Sequence, residues 1–190
     1  NYSKAEMFLN GDIGCIHYGL IHAIPNSNYN LQNGIKYFVT KEQAKYETIK
    51  DGDVIMVDAS EDLIGVNKSI EISGVGSKKY IAGLHTFLLR DNNSLLVNGY
   101  RGAILNSKLV KSQLVRLAVG MKVFGVSKTL LKTVQIPVPT ISEQTAIATA
   151  LSDTDALIEN LEKLIAKKRN IKQGVMQELL TGKKRLAGFK

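Results

Sequence analysis

The chain has 190 residues, 44% of them hydrophobic and 22% charged, a balance that fits one filled globular core and excludes a disordered chain. Its apolar runs stay as short as Val54–Val57, so no segment offers the roughly 20 apolar residues of a membrane span. Twenty-five basic against 17 acidic residues give a formal charge of +8, which suits a polyanionic partner, because each Lys or Arg near a phosphate can release a condensed counterion; solubility alone would also account for it.

In chain order, Asn1-Tyr2-Ser3-Lys4 does not read as a signal peptide. Cys15, the single cysteine, leaves no internal disulfide and suits a reducing cytoplasm. Short apolar runs punctuated by Gly, Asn and Asp predict strands at Ile13–Tyr18, Tyr37–Thr40, Asp53–Asp58, Val66–Ile72, Tyr80–Gly83 and Thr86–Arg90. Pro25-Asn26-Ser27-Asn28, Asp51-Gly52-Asp53 and Asp91-Asn92-Asn93 read as turns. Between Val97 and Val119 the spacing of Tyr100, Ile104, Val110, Leu114 and Leu117 turns helical, as one helix or as two broken near Asn106-Ser107. The expected class is α+β: a mixed sheet-and-helix domain over residues 1–135, then a helical segment over 136–190.

Ile136-Pro137-Val138-Pro139 marks the change of character. Beyond it the chain reads as one long helix, with Thr140 and Glu143 spaced as a capping box and Gly182 as the stop, about 60 Å at 1.5 Å per residue. Ile147, Leu151, Ile158, Leu161, Ile165, Val175 and Leu179 alternate at three and four residues, the seam of a coiled coil. Leu157, Leu164 and Ile171 widen it. Thr154, Lys168 and Lys172 interrupt it, Gly174 weakens it, and Ser152-Asp153-Thr154-Asp155 could cap a second helix after a kink. The apolar stripe needs a helical partner, in this chain or another; a helix folded back on its own domain is the alternative.

Catalysis has no visible home. His17, His22 and His85 make no metal set with Cys15 or a carboxylate pair. Gly74-Val75-Gly76-Ser77-Lys78-Lys79 lacks the spacing of a phosphate loop and reads as a flexible turn with two lysines. No acidic residue stands two places before a lysine, as a metal-dependent nuclease would need, and Pro25, Pro137 and Pro139 are never adjacent, which removes an Asn-Pro-Pro-aromatic methyltransferase motif.

The segment Ile136-Pro137-Val138-Pro139, Ser142-Glu143-Gln144, Ile147-Ala148, Leu151-Ser152, Asp155 and Ile158, with the tail Lys172-Gln173-Gly174-Val175-Met176-Gln177-Glu178-Leu179-Leu180-Thr181-Gly182, resembles the shared helical region of type I restriction-modification specificity subunits. Cys15-Ile16-His17-Tyr18-Gly19, Ile81-Ala82-Gly83-Leu84-His85-Thr86 and Gly125-Val126-Ser127-Lys128 look like segments of the target-recognition domains of that family, although Leu20 stands where an aspartate is expected. The resemblance implies a non-catalytic, cytoplasmic subunit that binds double-stranded DNA. It also implies methyltransferase subunits that use S-adenosylmethionine, and a motor and nuclease subunit that uses ATP and magnesium. A full-length member carries two recognition domains and two long helices. This chain shows one of each, as a half-subunit, a truncated product or a fragment would, which points to a homodimer formed through the helix. The competing function is a decoy or inhibitor that captures methyltransferase subunits by the helix without reading DNA.

Base reading needs directional hydrogen-bonding side chains on loops that can enter a groove. His17, Tyr18, Ser60, Asn67, Lys68, Lys78 and Lys79 meet that description, and Lys122 and Lys128 are the candidate phosphate contacts beside Gly125. For His17 and Tyr18 the competing role is packing at a sheet edge, and Ser127 is expected to cap a short helix. The partner-helix residues are Ile147, Leu151, Ile158, Leu161, Leu164, Ile165, Val175 and Leu179. No metal ligand is expected.

Overall fold

The computed structural model describes residues 6–42 and 46–189, in two compact units, Asn1–Thr149 and Ala150–Lys190. Among the described residues the first unit carries all the strands. A three-stranded sheet has β1 (Ile13–Ile16) between β3 (Phe38–Val39), antiparallel, and β7 (Lys79–Ala82), parallel. A four-stranded sheet runs in the order β2 (Asn28–Asn30), β6 (Ser69–Ser73), β4 (Val54–Val57) and β8 (Thr86–Leu89). A short ribbon joins β5 (Ala59–Ser60) to β9 (Phe124–Gly125).

The core explains why Val54–Val57 is unbroken apolar sequence. Successive side chains of a strand point to opposite faces, and β4 is covered on both. Ile55 and Val57 join Ile16, Ile21, Ile70, Ile72 and Tyr80 in one cluster. Val54 and Met56 pack on the other side against Leu105 of α2 (Tyr100–Asn106) and Val110 and Leu114 of α3 (Lys108–Leu117). Leu131, Val134 and Ile136 complete that second cluster, so the stretch leading to the prolines belongs to the domain. A third cluster of Ile13, Cys15, Val39 and Ile81 fills the outer side of β1.

Polar groups lock these layers. Glu71, almost fully buried on β6, accepts from the Gly99 and Gly102 N–H groups at 2.7 and 2.9 Å, where a carboxylate offsets the positive end of α2. A Cβ on Gly102 would lie 2.3 Å from the Ser27 carbonyl oxygen, so only glycine permits this approach. Asp53 takes a two-pronged contact from Arg90 at 2.7 and 2.6 Å, the geometry that makes a guanidinium–carboxylate pair directional. Arg90 also reaches Glu47.

The six expected strands all form. Four differences from the sequence reading have local causes. The first strand stops at Ile16, and His17 caps a helix α1 (Tyr18–Ala23), its Nδ1 accepting from the Gly19 N–H at 3.0 Å. The expected Pro25–Asn28 turn bends at Asn26 and Ser27 and leads into an unexpected strand, β2, because β6 offers Glu71–Ser73 as a parallel partner. The strand expected from Val66 begins only at Ser69, since Asn67 sits in the left-handed region at φ 62. The small β5–β9 ribbon was invisible to periodicity, two residues being too short to show alternation.

The helical stretch resolves into two helices, with Ser107 accepting from the Val110 N–H at 3.3 Å. Ser127 caps α4 (Lys128–Leu131) as expected. Helix α5 runs without interruption over Ile141–Leu180. Thr140 caps it, accepting from the Glu143 N–H at 3.3 Å, and Gly182 ends it with φ 72. No second helix starts at Ser152–Asp155; the Thr154 hydroxyl instead donates back to the Ala150 carbonyl at 2.8 Å. The first unit continues beyond residue 135 because Gln144 is fully enclosed in it, accepting from the Val97 N–H at 2.9 Å and donating to the Leu95 and Pro139 carbonyls at 3.0 and 2.9 Å. No helix among the described residues is long and apolar enough to cross a membrane.

Candidate nucleic-acid interface

Strands β1 and β7 lie parallel, Cys15 beside Ile81 and Ile16 beside Ala82, so their C-terminal ends emerge together. The Gly83 N–H donates to the Ile16 carbonyl at 2.7 Å, and a Cβ on Gly83 would lie 2.5 Å from the Cys15 sulfur. This close approach draws the two following loops into contact: the Tyr18 N–H donates to Leu84 at 3.2 Å. The Asp58 N–H donates to the His85 carbonyl at 3.1 Å, and the Val126 N–H to the Asp58 carbonyl at 3.0 Å. Segments 15–19, 81–86 and 125–128, far apart in sequence, thereby share one end of the unit.

Tyr18 stands at its centre, 38% exposed. Its ring meets all three imidazoles edge-on, at 5.9 Å from His17, 6.0 Å from His22 and 5.6 Å from His85. His85 is held at φ 53, a left-handed backbone that His tolerates better than most residues. Its Nδ1 lies 3.4 Å from Asp58 Oδ1, within ion-pair distance. Burial pushes the Asp58 carboxyl up, against the opposing pull of His85 and Lys128. The Lys128 ammonium lies 5.6 Å from the centre of the Phe87 ring, a cation–π contact that leaves an exposed charge beside the patch. Burial, aided by Lys68 and Lys111, holds His22 below the usual histidine range.

The expected DNA contacts divide into three groups. Tyr18, Lys122 and Lys128 are exposed, Tyr18 and Lys128 at the patch itself and Lys122 in the turn that enters β9. Lys78 and Lys79 are exposed too, but at the start of β7, where Lys79 pairs with Ile13; about 10 Å of strand separates them from the patch. His17, Ser60, Asn67 and Lys68 are engaged within the fold. His17 is buried as the cap of α1 and packs on Tyr37 at 4.9 Å. Ser60 is buried in the ribbon, its Oγ accepting from the Asp62 N–H at 3.4 Å. Asn67 has no exposed surface and donates to the Leu114 carbonyl at 3.3 Å. The Lys68 ammonium donates to the carbonyls of His22 at 3.1 Å and Ile24 at 2.5 Å, and burial lowers its pKa.

Sequence reading missed His85 and Asp58. His85 lies inside a segment already singled out, Ile81–Thr86, but the sequence offers it only as a histidine outside any metal set. Asp58 carried no signal, since its partners come from two other loops. The arrangement offers a phenol, an imidazole, a carboxylate and an ammonium, a set that can donate to and accept from base edges and phosphates. Among the described residues no group of three or more His, Cys, Asp or Glu side chains could hold a metal ion. Burial pushes the Cys15 thiol up to about 11, so it is a packing residue.

In the second unit no described residue is buried. Leu151, Leu157, Ile158, Leu161, Leu164, Ile165, Ile171 and Val175 are each about half exposed, an apolar stripe of the kind that marks an interaction face. Charge along α5 and its tail is segregated. Residues 141–162 hold Glu143, Asp153, Asp155, Glu159 and Glu162 and no Lys or Arg. Residues 163–185 hold Lys163, Lys167, Lys168, Arg169, Lys172, Lys183, Lys184 and Arg185 against Glu178 alone.

The family model described as Type I restriction modification DNA specificity domain matches residues 2–168. A Methanocaldococcus jannaschii protein described as a type I restriction enzyme MjaX specificity subunit is 32% identical over 143 residues, which is 73% of this chain and 32% of that protein. The crystal structure of a type I restriction-modification system S subunit from M. genitalium is similar with a TM-score of 0.56 at 18% identity, over 94% of this chain and 41% of that one. The chain thus spans less than half the length of both relatives.

Proposed function

The chain belongs to the type I restriction modification DNA specificity domain family, and from that membership we propose that it recognises a sequence in double-stranded DNA for a type I restriction-modification complex. It acts in the cytoplasm as a non-catalytic subunit. Methyltransferase subunits carrying S-adenosylmethionine and a motor and nuclease subunit using ATP and magnesium supply the chemistry. The observation that carries this reading is the patch around Tyr18, where groups able to read bases adjoin the exposed cation of Lys128 on a chain of formal charge +8.

The same reading includes a homodimer, supported by the self-complementarity of α5. If two copies run antiparallel with Leu161 against the second copy's Ile165, Leu151 meets its Val175 and Ile147 its Leu179. On the flanks of that register Asp155 faces the second copy's Arg169, Leu157 faces its Ile171, and the two Leu164 side chains meet. Antiparallel pairing sets each acidic half against a basic half, whereas parallel pairing sets like against like, and flanking charges of this kind fix helix orientation. Lys168 opposite Ile158 and Lys172 opposite Thr154 are the weak layers, tolerable where a lysine stem lies along the stripe with its ammonium in water.

The test is duplex binding across a salt series. Wild-type affinity should fall steeply with salt, and Lys128→Ala should shallow the log–log slope by about 1. A folded chain that binds the methyltransferase subunits with no affinity for DNA would instead be the decoy.

A further inference from the structure

The patch described above holds more polar capacity than the fold uses. Asp58 Oδ1 is buried, and the nearest polar side chain set against it is His85, whose Nδ1 lies 3.4 Å away. A buried carboxylate oxygen left unmatched is costly, so this contact favours an imidazole that presents an Nδ1–H to Asp58. Nδ1 is the nitrogen that faces the carboxylate, which leaves Nε2 of the 47%-exposed side chain available to a ligand. The left-handed backbone at His85 is a strained placement, and it sets the imidazole against the exposed ring of Tyr18, 5.6 Å away. Behind this pair, the loop that starts α4 sets Lys128 over Phe87, the neighbour of Thr86 on β8. Two directional groups therefore stand side by side with a cation at their flank.

We propose that Tyr18 and His85, with Asp58 orienting the imidazole, are the base-reading residues of this chain, and that Lys128 holds a phosphate beside the base pair they read. The assignment rests on the DNA-recognition function proposed above. In a major groove the Tyr18 hydroxyl can donate or accept, and His85 Nε2 can serve a purine N7 or an exocyclic amine according to its protonation. Asp58 is a positioning residue: it acts through His85 and does not itself touch a base.

The experiment is selection from a pool of duplexes carrying a randomised central stretch, with the full chain and its Tyr18→Phe, His85→Asn and Lys128→Ala variants. Asparagine is chosen at 85 because it tolerates the left-handed backbone. Circular dichroism melting confirms that each variant folds. The wild-type chain should enrich a motif. Tyr18→Phe and His85→Asn should lose or change the preference at one base pair of each half-site and weaken binding to the selected duplex about tenfold or more. Their affinity for a scrambled duplex should not change. Lys128→Ala should weaken the selected and scrambled duplexes alike and keep the motif. An unchanged motif in both Tyr18→Phe and His85→Asn overturns the assignment, while wild-type enrichment still upholds DNA recognition. Folded variants that lose scrambled and selected duplexes equally also overturn it, because the residues would then only shape the surface. A wild-type chain that enriches nothing overturns both.

Discussion

Lysines that look alike in sequence separate by what their ammonium groups touch. Lys128 lies exposed over the Phe87 ring, whereas Lys68 holds two carbonyl groups at the end of α1. Lys68→Ala should therefore lower the stability read by urea denaturation by about 1 to 2 kcal/mol, for carbonyls left without a donor, and keep the salt slope that Lys128→Ala changes. Lys111 makes a second prediction. Its ammonium donates to the Val66 carbonyl at 2.6 Å, and burial first, then the Lys68 charge, lowers its pKa from 10.5 to about 8, Asp62 opposing. The folded state thus releases this proton at lower pH than the unfolded state, so this group raises stability as pH climbs from about 8 towards 10.5. Cys15 works the other way above 9, since its folded thiol ionises only near 11. The measurement is the difference in urea stability between wild type and Lys111→Met, at pH 7 and at pH 9. The wild type should gain on the variant as pH rises, and a pH-independent difference would refute the buried-charge account.

At the scale of elements, caps and periodicity were legible and pairing was not. Ser127, Thr140 and Gly182 act where sequence places them, because a cap is a contact between neighbours three or four residues apart. The reach of the first unit into α5 depends on Gln144, whose partners Leu95 and Val97 lie far upstream. Gln144→Leu conserves most of the volume while leaving the Val97 N–H and two carbonyls without partners. The expected loss is about 2 kcal/mol or more, read by urea denaturation followed by circular dichroism, since the chain has no tryptophan. A loss under half a kcal/mol would show that water replaces the glutamine. His17 teaches the reverse lesson: the short apolar run carries the expected strand to Tyr18, but a side chain that can cap Gly19 ends it at Ile16.

For the whole molecule the prediction is a twofold antiparallel pair that reads an inverted repeat, one half-site per copy, with a spacer set by the helices. Leu161→Asp with Leu164→Asp should dissociate it, because lost leucine packing and buried charge together exceed a typical core truncation of a few kcal/mol. Sedimentation over a range of concentrations reads this directly, and a wild-type chain that stays monomeric at the highest concentration would defeat the dimer while leaving DNA recognition in place. Orientation has its own test. Asp155→Arg alone should weaken the pair, and Asp155→Arg with Arg169→Asp in the same chain should restore it. No rescue would argue against antiparallel pairing in this register.

Sequence alone determined the α+β class, the six main strands, the long helix with its caps and stripe, and the family resemblance that the family match then established. These rest on short-range spacing, or on motifs read in one register. Tertiary structure alone decided which polar residues were spent. Asn67 and Lys68 carried the same promise in sequence as Tyr18 and Lys128, yet the first pair closes backbone gaps around β4, α1 and α3 while the second pair faces solvent. The meeting of His85 with Tyr18 and Asp58 was likewise hidden, because it follows from the parallel pairing of β1 with β7 and the close approach at Gly83. A long-range contact is set by how strands pair, and the local alternation of apolar residues that marks a strand says nothing about its neighbour.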